Sequence, residues 1–273
     1  LEIFFVISGF LISGLLMREH KKTGSINLKS FYWRRYLRLT PLYVFAILLY
    51  WAVMGDKAKN SWANLLDGAD FLTLDEVSMP WTWSLAVEEQ FYLLFPLLLM
   101  FLILPAKKPL MWLGGLFAAA FCINGFIVSH DAVLWNDLYS TIFLTGAKFK
   151  HYFDHYYNDL DTRYGAFIVG IVVAYLYFYH RDWLDKLFDK TALCQGITLF
   201  ALWIVVGGFW SNIYFEQDIE KLNYTRIYMI TCRNIFSLGL GWLMLACIYP
   251  EGVGSWVKRF LSARFWFPIA QLS

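Results

Sequence analysis

The sequence predicts an all-α fold, a polytopic transmembrane helical bundle, and three observations predict it. The chain of 273 residues is 59% hydrophobic, 20% aromatic and only 16% charged, whereas about a quarter of the residues in an ordinary soluble domain carry charge. Apolar segments stand at 1–17, 39–54, 84–104, 110–128, 164–180, 193–210 and 230–248, and an eighth begins near Phe260. Each runs for about 16–21 residues, near the length a helix needs to cross the hydrocarbon core. The third observation is that the charge of the intervening loops alternates in sign.

The elements follow in order. Segment 1–17 holds Gly9 and Ser13 four residues apart, a spacing that lets helices approach closely. Ser8 reads as a packing serine ahead of a catalytic one. The loop from Arg18 to Arg38 carries Arg18, Lys21, Lys22, Lys29, Arg34, Arg35 and Arg38 against Glu19 alone. Lysine and arginine accumulate on the cytoplasmic side, so this loop is placed inside. Loop 55–83, with Asp56, Asp67, Asp70, Asp75 and Glu76 against Lys57 and Lys59, is placed outside. Lys107 and Lys108 are inside again, and 129–163, with Asp131, Asp137, Asp154, Asp159 and Asp161, is outside. The loop after 164–180 is charge-balanced, Glu216, Asp218 and Glu220 lie outside, and Lys258, Arg259 and Arg264 return inside. Residues 132–147 are apolar but contain Asn136 and Asp137, and they read as an interfacial or re-entrant element rather than a span. Ala166, Gly170 and Ala174, and likewise Gly114 and Ala118, recur every fourth residue and offer small faces for packing. There is no internal repeat and no separable soluble domain, so 1–273 is one membrane domain. The four cysteines, Cys122, Cys194, Cys232 and Cys247, lie singly in apolar segments and read as buried apolar residues, without the close pairing of a zinc site or redox dithiol. No metal ligand set and no nucleic-acid partner is expected.

Chemistry concentrates in the stretch from Pro80 to Pro96, where Glu88, Glu89 and Gln90 interrupt an apolar run. A carboxylate at the centre of a lipid-embedded helix costs roughly 2.5–3.5 kcal/mol, so it is kept where it faces a polar cavity or a partner. At helical spacing Trp81, Ser84, Glu88, Tyr92 and Phe95 form one stripe, with Glu89 about 100° away. Glu88 is therefore the expected inward carboxylate and Glu89 the interfacial one, and Ser84 and Tyr92 are candidates for substrate contact. Pro96 frees the carbonyl of Tyr92 and predicts a bend. Glu88 suits a general base or the partner of a catalytic histidine; a structural bundle contact is the alternative. Arg35 and Arg38, three apart, share a helix face while Arg34 points elsewhere. Two guanidiniums at the cytoplasmic face suit the phosphates of an anionic donor such as an acyl-coenzyme A, and they equally suit interfacial anchors. Arg163 at an outer helix end either contacts an acceptor, pairs with Glu88 or Glu89, or anchors the helix at the interface. None of the five histidines is assigned a catalytic role.

Four motifs occur in order: Phe4-Phe-Val-Ile-Ser-Gly-Phe-Leu-Ile12, Tyr32-Trp-Arg-Arg-Tyr-Leu-Arg-Leu-Thr-Pro-Leu-Tyr43, Trp83-Ser-Leu-Ala-Val-Glu-Glu-Gln-Phe-Tyr-Leu-Leu-Phe-Pro96 and Thr162-Arg-Tyr-Gly-Ala-Phe-Ile-Val-Gly170. Together they resemble the acyltransferase family 3 membrane proteins. The resemblance implies an integral enzyme of about ten helices in the intact protein, sited in the bacterial cytoplasmic (inner) membrane. It implies transfer of an acyl group, usually acetyl, from acyl-CoA as co-substrate to a glycan or other hydroxylated acceptor of the envelope, with no bound cofactor. Carried over by position, it implies donor-side roles for Arg35 and Arg38 and a place in the catalytic centre for Glu88. The chain starts inside its first apolar segment and reads as a fragment. The family's catalytic histidine is expected before Leu1, so the chain by itself is expected to be inactive and its parent active. A transporter of a small solute or ion and a non-catalytic envelope scaffold are the alternatives.

Overall fold

The computed structural model describes residues 1–55, 60–66, 68–207, 218–249, 255, 258–260 and 262–264. Helix α1 spans Glu2–Thr23 and α2 spans Leu28–Met54. After the short α3, Ser61–Leu65, a 3-10 turn at Pro80–Thr82 leads into α4, Trp83–Leu98, which continues as a π turn over Leu99–Ile103. Helix α5 is Pro109–His130, followed by three short helices, α6 at Ala132–Asn136, α7 at Tyr139–Leu144 and α8 at Gly146–Tyr152. Then come α9, Leu160–Tyr179, α10, Arg181–Phe188, α11, Thr191–Val205, and α12, Leu222–Ile248. Among the described residues six helical stretches are long and apolar enough to cross a membrane, or seven if α10 and α11, bent by 94°, count as one span.

Several expectations shift. The basic loop from Arg18 to Arg38 is almost wholly helical, because α1 and α2 continue past their apolar stretches into long cationic side chains whose stems stay apolar. Only residues 24–27 connect them: Gly24, at φ 73, closes α1 in the left-handed region, and Asn27 caps α2 by accepting from Ser30 N. Of segment 193–210, residues 193–205 belong to the 15-residue α11, about 22 Å long and too short to cross alone, and 208–210 lie outside the described residues. Asp56, Asp67, Glu216 and nearly all of the segment expected after Phe260 lie outside the described residues. Residues 132–147 form no span, in keeping with the re-entrant or interfacial reading. Asp131 starts α6 by accepting from Val133 N and Leu134 N, and also pairs with His151 at 2.6 Å. Cys194 is buried, but Cys122 is exposed on α5, where a free thiol serves as a small apolar side chain.

The centre of the bundle is the contact between α1 and α9. A methyl group at Gly170 would collide with the Val6 carbonyl, and one at Gly9 with the Phe167 carbonyl. The small faces of both helices therefore meet, as their spacing predicts. The Gly114 face of α5 behaves differently: Gly114 and Ala118 are exposed, and Leu113, Ala120, Asn124 and Val128 are that helix's buried residues. Around the α1–α9 seam, Phe91 stacks on Phe167 with centroids 4.0 Å apart, and Phe5 packs on Phe167 at 4.8 Å. A second cluster, with Tyr139, Ile142, Tyr152, Tyr156 and Tyr228, fastens α6–α8 as a cap over the ends of α5 and α12. Helix α2 stands apart, with few buried side chains, and is tied across by Tyr32 Oη to Leu93 O at 2.8 Å and Tyr50 Oη to Ser78 O at 2.8 Å. Below Pro96 the helix widens into the π turn, where Leu104 N reaches Leu99 O at 2.9 Å.

Candidate active site

A cavity of about 1280 Å³ opens between α2, α4 and α9 and the segments around Asp70 and Asp159. Phe91, Phe95, Leu116, Phe167 and Ile168 form its apolar wall, and Arg35, Glu89 and Tyr92 stand on its polar side. At one end it is acidic, lined by Asp70, Asp154, Asp159 and Asp161. Gln90 Nε2 donates to both carboxylate oxygens of Asp70 at 2.9 Å. Burial pushes the Asp70 carboxyl up; burial, aided by the negative Asp161 and Asp70, pushes Asp159 up to about 7.

Arg35 is the hub. Its guanidinium lies 3.0 Å from the centroid of the Tyr92 ring, with Nη2 4.0 Å from Glu88 Oε1 and Nε 3.6 Å from Glu89 Oε1. Ser8 Oγ donates to Glu88 Oε1, and Tyr92 Oη donates to Ser8 Oγ at 3.1 Å. Ser8, Glu88, Arg35 and Tyr92 thus close a ring of contacts joining α1, α2 and α4. Glu88 is 4% exposed and turned to α1 and Arg35, while its neighbour Glu89 is on the cavity wall. This reverses the expected division, in which Glu88 faced the cleft and Glu89 the interface. A guanidinium is a wide planar fork of five N–H donors, so carboxylates about 100° apart on one helix both reach it.

Other sequence-derived candidates fall elsewhere. Ser84 is half-buried and off the cavity wall. Trp81 is 65% exposed while Trp83 is 5% exposed, because the α-helical register starts only at Trp83. Arg38 is exposed, one turn beyond Arg35. Arg163 is buried and pairs with Glu2, not with Glu88 or Glu89; its Nε also donates to Tyr157 O at 2.8 Å. Arg233 takes the adjacent carbonyl, Tyr156 O, at 2.9 Å. The two arginines thus satisfy acceptors at the end of the π turn Phe153–Tyr157, where carbonyls lack helical partners. Sequence reasoning passed over Glu2 and Arg233, although each is a lone charge within an apolar run, the signal that singled out Glu88. Ser8, read as a packing residue, touches the candidate carboxylate directly.

The arrangement offers an oriented cation flanked by two carboxylates beside a chamber of about 1280 Å³. Comparison with known proteins puts a reaction to it: the acyltransferase domain of acyltransferase family 3 matches over residues 1–267. The chain belongs to acyltransferase family 3. Membership makes it an acyltransferase domain for groups other than amino-acyl groups. Nose resistant to fluoxetine protein 6 of Caenorhabditis elegans is 28% identical over 310 residues, covering 99% of this chain and 36% of that protein. O-acetyltransferase OatA of Staphylococcus aureus (strain NCTC 8325 / PS 47) is 29% identical over 243 residues, covering 77% of this chain and 37% of that protein. This member of acyltransferase family 3 therefore spans about a third of the length of these relatives. No solved structure matches it.

Proposed function

We propose that the protein carrying this chain moves an acyl group, acetyl above all, from acyl-coenzyme A to a hydroxyl of an envelope carbohydrate in a bacterial cytoplasmic membrane. The observation that carries the reading is Arg35, held between Glu88 and Glu89 on the wall of a cavity whose other end is acidic. The name of OatA supplies the reaction class, transfer of acetyl to oxygen. In the proposed step the acceptor hydroxyl oxygen attacks the thioester carbonyl carbon, a C–O bond forms and the C–S bond breaks. A base takes the hydroxyl proton and passes it to the departing coenzyme A thiolate.

Arg35 offers its charge to the thioester oxygen as negative charge develops there, with Arg38 one turn away toward the donor's phosphates. Glu88 acts as a positioning residue: with Ser8 and Tyr92 it fixes the guanidinium. Glu89 meets the acceptor from the cavity wall. Ser84 and Arg163 have structural parts in this reading, since neither lines the chamber. The apolar wall excludes water and so limits thioester hydrolysis. The test uses the full-length protein in proteoliposomes with isotopically labelled acetyl-coenzyme A and an envelope glycan. Label appearing as an alkali-labile ester on the glycan, with one coenzyme A released per ester, is expected. Solute accumulation without coenzyme A release would replace the reading with transport.

A further inference from the structure

The basic residues of the α1–α2 turn do not all serve the chamber. Arg35 faces it, but Arg34 is turned to a separate groove of about 560 Å³ between α1, the start of α2 and the end of α9. The groove's floor is apolar, made by Phe10, Leu11, Gly14, Leu15 and Phe178, and its far end carries Arg18, Lys22 and Arg34. Glu19 also lies at that end, with its carboxylate engaged by Asn27 N at 3.0 Å. Among the described residues Arg18, Lys22 and Arg34 form no ion pair. Arg34 Nη1 donates to Ser30 Oγ at 2.7 Å, which holds its guanidinium at the turn.

From this we infer that the groove is a seat for one anionic phospholipid, with its phosphate on Arg18, Lys22 and Arg34 and an acyl chain along α1. Three cations against one engaged carboxylate select negative charge. Length selects a lipid over a soluble anion. From Phe10 to Lys22 is twelve residues, about 18 Å of helix, close to one leaflet of a hydrocarbon core about 30 Å thick. A soluble phosphate would leave that apolar floor uncovered. The charged end is also the end that loop charges place inside, where anionic headgroups attract basic clusters. The lipid would wedge α1, α2 and α9 together, and the inference does not depend on the acyl-transfer reading.

The test is native mass spectrometry of the full-length protein, delipidated in detergent and titrated with phosphatidylglycerol or with phosphatidylcholine of the same acyl chains. Phosphatidylglycerol is expected to bind preferentially. Lys22→Gln should weaken that binding about fivefold, and Arg18→Gln/Arg34→Gln about twentyfold, with phosphatidylcholine unaffected. If the double variant does not fold, Lys22→Gln carries the test. Lys107→Gln/Lys108→Gln, on a different inner turn, should leave binding unchanged. Equal retention of both lipids, or a preference indifferent to Lys22→Gln, would overturn the inference. Displacement of phosphatidylglycerol by inorganic phosphate or by coenzyme A would assign the cations to a soluble anion and overturn it too.

Discussion

Replacing Glu88 by glutamine in the full-length protein keeps the side chain's shape and an oxygen to which Ser8 can donate, but removes one of the two charges on Arg35. At the observed 4.0 Å from Arg35 Nη2, unit charges attract by about 4 kcal/mol at an effective dielectric near 20. Desolvation of the two groups costs several kcal/mol in the opposite sense. The net coupling is then about 1–3 kcal/mol, the range found for contacting charged pairs. Glu89, at 3.6 Å, draws the guanidinium toward itself and off the Tyr92 ring, displacing the cation from the developing oxyanion. A preorganised charge lost from a transition state costs on the order of 10²-fold in kcat, and with the donor's phosphates on Arg38, as proposed, donor KM should move by less than about threefold. The assay is O-acylation in proteoliposomes, with each variant also made in an Arg35→Met background. Glu88→Asp, which keeps the charge, should recover part of the rate. A kcat for Glu88→Gln within about threefold of wild type, or an equal loss with and without Arg35, would refute the positioning role.

Three further predictions concern the scaffold. Gly170→Ile sets a branched side chain against the Val6 carbonyl and should destabilise the α1–α9 seam by about 3 kcal/mol or more, seen as a lower unfolding temperature in detergent; an unchanged melt would mean the helices can separate freely. Asp159, with its carboxyl at about 7 against an ordinary 3.8, binds a proton more readily folded than unfolded. Its contribution is thus present at low pH and fades as pH rises from about 4 to about 7; Asp159→Asn should flatten that part of the unfolding-temperature profile, and an identical slope would remove the residue as its source. Asp131→Ala orphans two N–H groups of α6 and the His151 contact, costing about 1–2 kcal/mol. The Asp131 carboxyl is held below its usual value by the Leu134 and Val133 N–H donors and by His151, which together outweigh its burial. The wild-type advantage over Asp131→Ala should therefore disappear as pH falls through the range where Asp131 protonates, and an advantage that persists in acid would contradict it.

Much of this was legible in the residues. Apolar run lengths locate most of the long helices, and the cations of the α1–α2 turn contrast with the acids near Asp70 and Asp159. The Gly9–Ser13 and Ala166–Gly170 spacings announce the seam at which α1 and α9 meet. Periodicity within one helix also marks Glu88 and Tyr92 as neighbours on a face, since that relation depends only on rise and rotation per residue.

Relations between helices were another matter. Nothing along the chain says that Arg35 reaches across to both glutamates, that Ser8 donates to one of them, or that Arg163 belongs to Glu2. Each of those contacts joins residues far apart in sequence, and its partner is chosen by which helix packs beside which. The reversal of Glu88 and Glu89 has the same origin: a helical wheel gives the angle between two side chains but not the direction of the cavity. In a lipid-embedded bundle the apolar residues satisfy lipid and protein alike, so hydropathy marks where long apolar helices lie but not what each one packs against. Only the packed structure decides which polar groups find each other, because a buried charge settles where a counter-charge or a donor is within reach.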